Sequence, residues 1–180
     1  VRKNINFLRE NQYDAFWIID PSITLDDLLI IADVFKEENF SIPIHIRTRY
    51  DERYKDKNIC RRLGKMWASY LWTGLESASP RMNKLMNKYR DNPTKEDFDI
   101  MTRNCLEAGI RIHHYVVIWF PWETKEDLDI TRDYLISCLH RFRDKLYSYT
   151  SSMFEFSHWT DISRYPEKYN ITIPSQGTKS

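Results

Sequence analysis

TKEDFDIMTRNCLEAGIRIHHYVVIWFPWETKEDL, residues 94–128, holds one whole structural unit and the start of the next. Thr94, with Asp97 three residues on, is a helix-capping signature. Phe98, Met101, Cys105 and Ala108 follow at helical spacing, which predicts a helix over Lys95–Ala108, stopped by Gly109. Ile112–Phe120 is an apolar and aromatic run suited to a buried strand. Thr124 and Asp127 then repeat the cap, and Leu128, Leu135, Cys138 and Phe142 carry a second helix.

The same pattern extends in both directions. Ala15–Asp20 reads as a strand, and Thr24 with Asp27 opens a helix whose apolar face is Leu28, Ile31, Ala32 and Phe35, to about Glu38. Ile42–Arg47 is the next strand, with Pro43 at its start where a missing donor is tolerated. A polar helix around Arg53–Leu63 follows, then a strand at Tyr70–Gly74 and a helical stretch at Pro80–Tyr89. A last strand near Tyr147–Phe156 leads into an irregular tail, 161–180. This alternation predicts an α/β fold, a parallel sheet with right-handed crossovers and outer helices, over residues 1–160. Five strands are too few for a closed eight-stranded barrel, which takes ~250 residues, so the chain is an open sheet, a partial barrel or a fragment.

Composition narrows the function classes. In 180 residues, 27 Lys+Arg balance 26 Asp+Glu, and this near-neutrality removes the electrostatic footprint of a dedicated nucleic-acid binder. A 42% hydrophobic share supports a real core. No apolar run reaches the roughly 20 residues of a membrane helix, and the start lacks a signal-peptide apolar region, so a cytoplasmic setting is expected. Glycines at 64, 74, 109 and 177 cannot build a G-x-G-x-x-G turn or a P-loop. Cys60, Cys105 and Cys138 lie too far apart for a zinc site or a disulfide framework, and each reads as a buried helix residue.

In parallel α/β folds, ligands meet the carboxyl ends of the strands. Those ends carry Asp20-Pro21-Ser22, Arg47-Thr48-Arg49, Gly74-Leu75-Glu76-Ser77, Phe120-Pro121-Trp122-Glu123, and Glu155 with His158. Arg suits a carboxylate, and Asp or Glu an ammonium or ribose hydroxyls. Plainer readings stand beside these. Asp20 before Pro starts a turn, Glu123 favours a helix N-terminus, and Arg49 with Asp51 forms a solvated pair. His113 and His114, adjacent in a strand, point to opposite faces and cannot chelate one ion. Trp17, Trp67 and Trp72 read as core. Glu76 is the exception, because a carboxylate at the end of a buried strand is costly without a partner.

GLESASPRMNKLMNKYR (74–90), LEAGI (106–110) and VIWFPWETKEDL (117–128) together resemble the second half of the radical S-adenosylmethionine core, in the branch with cobalamin-binding enzymes and methylthiotransferases. IIDPSIT (18–24), IHIRTRYD (44–51) and YPEKYNI (165–171) resemble further segments of that core. The resemblance implies a partial (βα) barrel that begins in the first helix, with the first strand and its Cys-x-x-x-Cys-x-x-Cys loop upstream of Val1. It implies S-adenosylmethionine as cofactor and a 4Fe–4S cluster whose ligands lie upstream, since none of the three cysteines has the spacing to replace them. It leaves room for an upstream cobalamin domain. By the same resemblance Glu76 would contact the ribose or amino group, Arg47 the carboxylate, Asp20 the cofactor's edge, and Ile118 and Phe120 the adenine, with Ser77 and Pro121 also among the cofactor-binding residues. The family carries glycines where this chain has Trp119 and Trp122, two indoles that would fill space near the adenine. The partners so implied are a small-molecule cofactor and a substrate, while the balanced charge and the lack of a long apolar run argue against nucleic acid and membrane. The competing reading is a cluster-less, non-enzymatic α/β module that binds a ligand or partner.

Overall fold

A computed structural model describes residues 2–20, 23–66, 68–89, 92–145, 147–157, 160–169 and 171–172. The elements run α1 (Arg2–Glu10), β1 (Phe16–Ile18), α2 (Leu25–Glu37), β2 (Ile44–Thr48), a 3-10 turn (Glu52–Lys55), α3 (Lys57–Lys65), β3 (Ala68–Glu76), α4 (Pro80–Met86), α5 (Lys95–Glu107), β4 (Arg111–Ile118), α6 (Lys125–Phe142), β5 (Ser148–Met153) and α7 (Asp161–Arg164). Short 3-10 turns follow α6 and α7. The five strands form one parallel sheet in sequential order, β1-β2-β3-β4-β5. This is the arrangement of a barrel segment built from right-handed βα units.

The three Thr-x-x-Asp starts all form reciprocal capping boxes, at the heads of α2, α5 and α6. In each, the threonine hydroxyl accepts from the aspartate N–H while the carboxylate accepts from the threonine N–H, so two donors are satisfied per helix end. One sheet face is buried under the helices. Ile44, Ile46, Leu71, Leu75, Ile112 and Val116 meet Leu28, Phe35, Leu63, Phe98 and Met101 there in a continuous core.

Several boundaries differ from the sequence expectation, each for a local reason. The polar helix after β2 is split at Asp56, which closes the 3-10 turn and caps α3. The helix from Pro80 ends at Met86, because Asn87 takes a left-handed conformation (φ 47°). Strand β4 ends at Ile118, because Trp119 is also left-handed (φ 61°). Trp17 is not core: it is 48% exposed on the open face of the sheet. Trp67, Pro21, Ser22 and His158 lie outside the described residues.

Candidate functional site

The sheet face away from the helices carries a ladder of rings. Trp17 contacts His45 and Trp72; His45 contacts Tyr70; Trp72 stacks on His113 (4.5 Å, 30°) and meets Tyr115. Period-2 alternation puts all of them on one side. Arg47 extends along this ladder. Its guanidinium lies over the Trp72 and Tyr115 rings (5.4 and 5.3 Å) and donates to the Tyr115 hydroxyl at 2.9 Å. The planar cation is thereby held between two aromatic faces at the carboxyl end of the sheet.

Beside it opens a cleft of about 420 Å³, lined by Arg47, Arg49, Trp72, Gly74, Glu76, Lys88, Tyr89 and Tyr115, among others. Glu76 enters it through a break in the ladder. Gly74 pairs with Tyr115 and Glu76 with Val116, so Leu75 is an extra residue and the strand bulges. Bulges re-aim side chains and are common beside active sites. Here the bulge leaves Glu76 with φ 59°, a backbone state that costs a non-glycine residue roughly 1–3 kcal/mol. The Glu76 side chain folds back over Gly74, where any Cβ would collide with its carboxylate. It is 6% exposed and pairs with Lys88 at 2.7 Å. The Tyr89 hydroxyl closes the same corner by donating to the Gly74 carbonyl.

Charge makes this cleft cationic. Among the described residues, neither Arg47 nor Arg49 has a carboxylate within 4 Å. The expected Arg49–Asp51 pair does not form. Asp51 instead caps the 3-10 turn and binds Arg53, which also holds Asp26. Among the described residues, one carboxylate thus faces one ammonium and two guanidinium groups that lack a carboxylate partner.

Of the seven residues singled out from the sequence, Arg47 and Glu76 share the cleft. Asp20 is exposed at the end of β1 and does not line it. Ser77 is fully buried in the helical layer: its hydroxyl bonds Thr131 (2.9 Å) and its carbonyl accepts from Asn83. With Ser79 donating to Asp127 at 2.6 Å, the 77–79 segment is latched onto α6. Arg81, first among its partners, holds the Asp127 carboxyl well below the usual carboxylate range. Ile118 packs toward the core, and Val117 takes the cleft wall in its place. Phe120 packs edge-on against Phe154, and Pro121 lies in the turn before α6. Trp119 (φ 61°, 67% exposed) and Trp122 (φ 67°, stacked on Tyr169) keep a backbone path that favours glycine, and neither indole lines the cleft. Glu123 is not the cap of α6. Its carboxylate accepts from the Trp119 N–H, bracing the left-handed turn, and burial pushes its pKa up.

Lys88, Tyr89, Trp72 and Tyr115 escaped the sequence reading as site residues. The parity of β3 and β4 could have found the last two. The three cysteines are free and buried in the helical layer, and no group of three His, Cys, Asp or Glu among the described residues could hold a metal ion. The residues present therefore do not fit an iron–sulfur cluster. No helix among the described residues is long and apolar enough to cross a membrane.

No family model and no curated protein matches the sequence. Solved structures do. The radical S-adenosylmethionine methyltransferase TsrM from Kitasatospora setae, solved with cobalamin and a [4Fe-4S] cluster bound, superposes with a TM-score of 0.71 at 15% identity, over 93% of this chain and 31% of that one. The cobalamin-dependent S-adenosylmethionine radical enzyme OxsB, with aqua-cobalamin bound, gives 0.54 at 17% identity, over 74% of this chain and 21% of that one. The chain thus spans less than a third of the length of these enzymes. Its five-stranded parallel sheet and outer helices have the fold seen in these two radical S-adenosylmethionine enzymes.

Proposed function

We propose that this chain is the cofactor- and substrate-facing part of a radical S-adenosylmethionine enzyme, and that its cleft receives the carboxylate-bearing end of that cofactor. The observation that carries the reading is the pairing of an aromatic-clamped, carboxylate-free Arg47 with a buried Glu76 on a left-handed bulge, in one cleft. A guanidinium fixed between rings suits a carboxylate, and a buried, strained carboxylate suits an ammonium or ribose hydroxyls. Trp72, Tyr115 and Val117 supply the flat walls. When bound, S-adenosylmethionine would supply the adenosyl group for radical chemistry. The chain's own residues orient it, and the cluster ligands belong elsewhere.

The test is an NMR titration of S-adenosylmethionine into the chain, with S-adenosylhomocysteine, methionine and inorganic phosphate alongside. Shifts should begin at the Trp72 indole and the Gly74 amide and be lost in Arg47→Ala. S-adenosylhomocysteine should bind at least as well, because Arg47 and Arg49 repel a sulfonium. Arg47-dependent binding of phosphate without any adenosyl preference would favour the non-enzymatic ligand-binding module. Shifts confined to other surfaces would remove the site.

A further inference from the structure

Two of the three cysteines, 45 residues apart in sequence, meet in the helical layer. Cys60 on α3 and Cys105 on α5 have their sulfur atoms 3.7 Å apart, both fully buried. The meeting has a visible cause. One turn beyond Cys60, Gly64 lies so close to the carbonyl of Ala108, three residues beyond Cys105, that a Cβ there would collide with it. The glycine lets the two helices approach until the thiols touch. Around them the hydrogen bonds are ordered: the Cys60 thiol donates to the Tyr54 carbonyl (3.3 Å), which also accepts from Asn104 (3.1 Å). That leaves the Cys60 sulfur as acceptor for the Cys105 thiol. Cys138 has no cysteine neighbour and contacts Asp99 and Arg141 instead.

We propose that Cys60 and Cys105 form a redox-active dithiol that a small-molecule disulfide converts to an intramolecular α3–α5 crosslink, with Cys60 as the attacking sulfur. The Cys105 thiol, donating to Cys60, lowers the Cys60 pKa, while the same bond and burial raise that of Cys105, which sets the order of attack. The Cys60 thiolate attacks one sulfur of glutathione disulfide and releases one glutathione thiolate, leaving a mixed disulfide. The Cys105 thiolate then attacks the Cys60 sulfur and releases the second glutathione. Two electrons pass from the pair to the oxidant, and the two thiol protons end on two glutathione thiols. Access comes by local opening of the 3-10 turn and α3, whose outer surface is polar and solvated. The crosslink would tie the segment after β2, which follows Arg47 and Arg49, to the helix before β4. This inference is independent of the ligand assigned to the cleft.

The test is incubation of the folded full chain with glutathione disulfide, followed by alkylation and tryptic mapping. The expected result is joint loss of the Cys60 and Cys105 thiols, with peptide 58–61 (NICR) linked to peptide 104–111 (NCLEAGIR) and Cys138 still alkylated. In Cys105→Ser the Cys60 glutathione adduct should accumulate, whereas in Cys60→Ser position 105 should stay reduced. Far-UV circular dichroism checks that each variant is folded. Should either fail to fold, time-resolved mapping of the wild type decides alone, since the Cys60 adduct must precede the crosslink. Preferential modification of Cys138, disulfides between chains, or crosslinking only in urea would each overturn the proposal.

Discussion

His113 and His114 are neighbours in β4 and live in different media. His114 points into the helical layer, fully buried, with Nδ1 bonded to the Tyr147 hydroxyl (2.9 Å) and Nε2 to Thr102 (3.4 Å). Burial drives its pKa down to about 3, with the neighbouring His113 adding to the effect. His113 points to the ring-lined face, stacked on Trp72 and bonded through Nδ1 to Ser148. Its Nε2 is buried without a partner, and burial together with Arg47 lowers its pKa. One sheet face is a closed core, where His114 is bonded at both ring nitrogens although the Tyr54, Thr73 and Tyr134 hydroxyls are buried without a hydrogen-bond partner among the described residues. The other is a polar-aromatic surface with unfilled hydrogen-bonding capacity. Packing is concentrated on the first face, and the cleft with Arg47 and Glu76 opens on the second.

Truncation on the closed face should break this contrast most. Leu71→Ala should cost about 3 kcal/mol in urea unfolding, as buried leucine truncations do. Trp72→Ala, one residue along but on the open face, should cost about 1 kcal/mol, mainly lost ring contacts. Equal costs would mean that the ring-lined face is itself core.

The histidines sharpen the contrast through pH. Below about pH 6.5 the unfolded chain protonates residue 114, whereas the folded chain holds it neutral until near pH 3, so stability falls as pH falls across that window. The slope from this residue should approach about 1.4 kcal/mol per pH unit, and His114→Gln should flatten the profile between pH 6.5 and 4.5. His113→Gln should change it less.

Much of this layout was legible in the sequence. The Thr-x-x-Asp caps are local chemistry, and so are the strands between them, which is why the βα order could be read without a structure. Arg47 and Glu76 could be placed at strand ends for the same reason. What failed depended on distant partners or on one unforeseen backbone angle. Ser77 looked like a rim residue, but Thr131, 54 positions on, turns it inward. Lys88 and Tyr89 were read as the end of a helix, yet the left-handed Asn87 swings them over the cleft. Ile118 was one residue out of phase with Val117.

Smaller effects separate recognition from stability. Gly74→Ala should lower the thermal midpoint, because the new methyl displaces the buried Glu76 carboxylate from Lys88 and crowds the Tyr89 hydroxyl. Arg47→Ala should shift stability by no more than about 0.5 kcal/mol, yet abolish ligand-induced shifts at the Trp72 indole. The smallest change is expected at Trp119→Gly. Relief of the left-handed backbone, about 1–2 kcal/mol, is mostly offset by the entropy of an added glycine, leaving a gain of a few tenths of a kcal/mol in denaturant midpoints.

The capping boxes carry a consequence for the electrostatics of the rim. Helices that follow parallel strands present their N-termini, the positive ends of their dipoles, toward the carboxyl edge of the sheet, where such ends often seat anions. Here α2, α5 and α6 each carry two carboxylates of their own in the first turn: Asp26 and Asp27, Glu96 and Asp97, Glu126 and Asp127. Those helix ends are already neutralised from within. An anion arriving at the cleft meets the side-chain cations Arg47, Arg49 and Lys88 rather than those three helix ends. Its affinity should therefore respond to ionic strength and hardly at all to neutral pH.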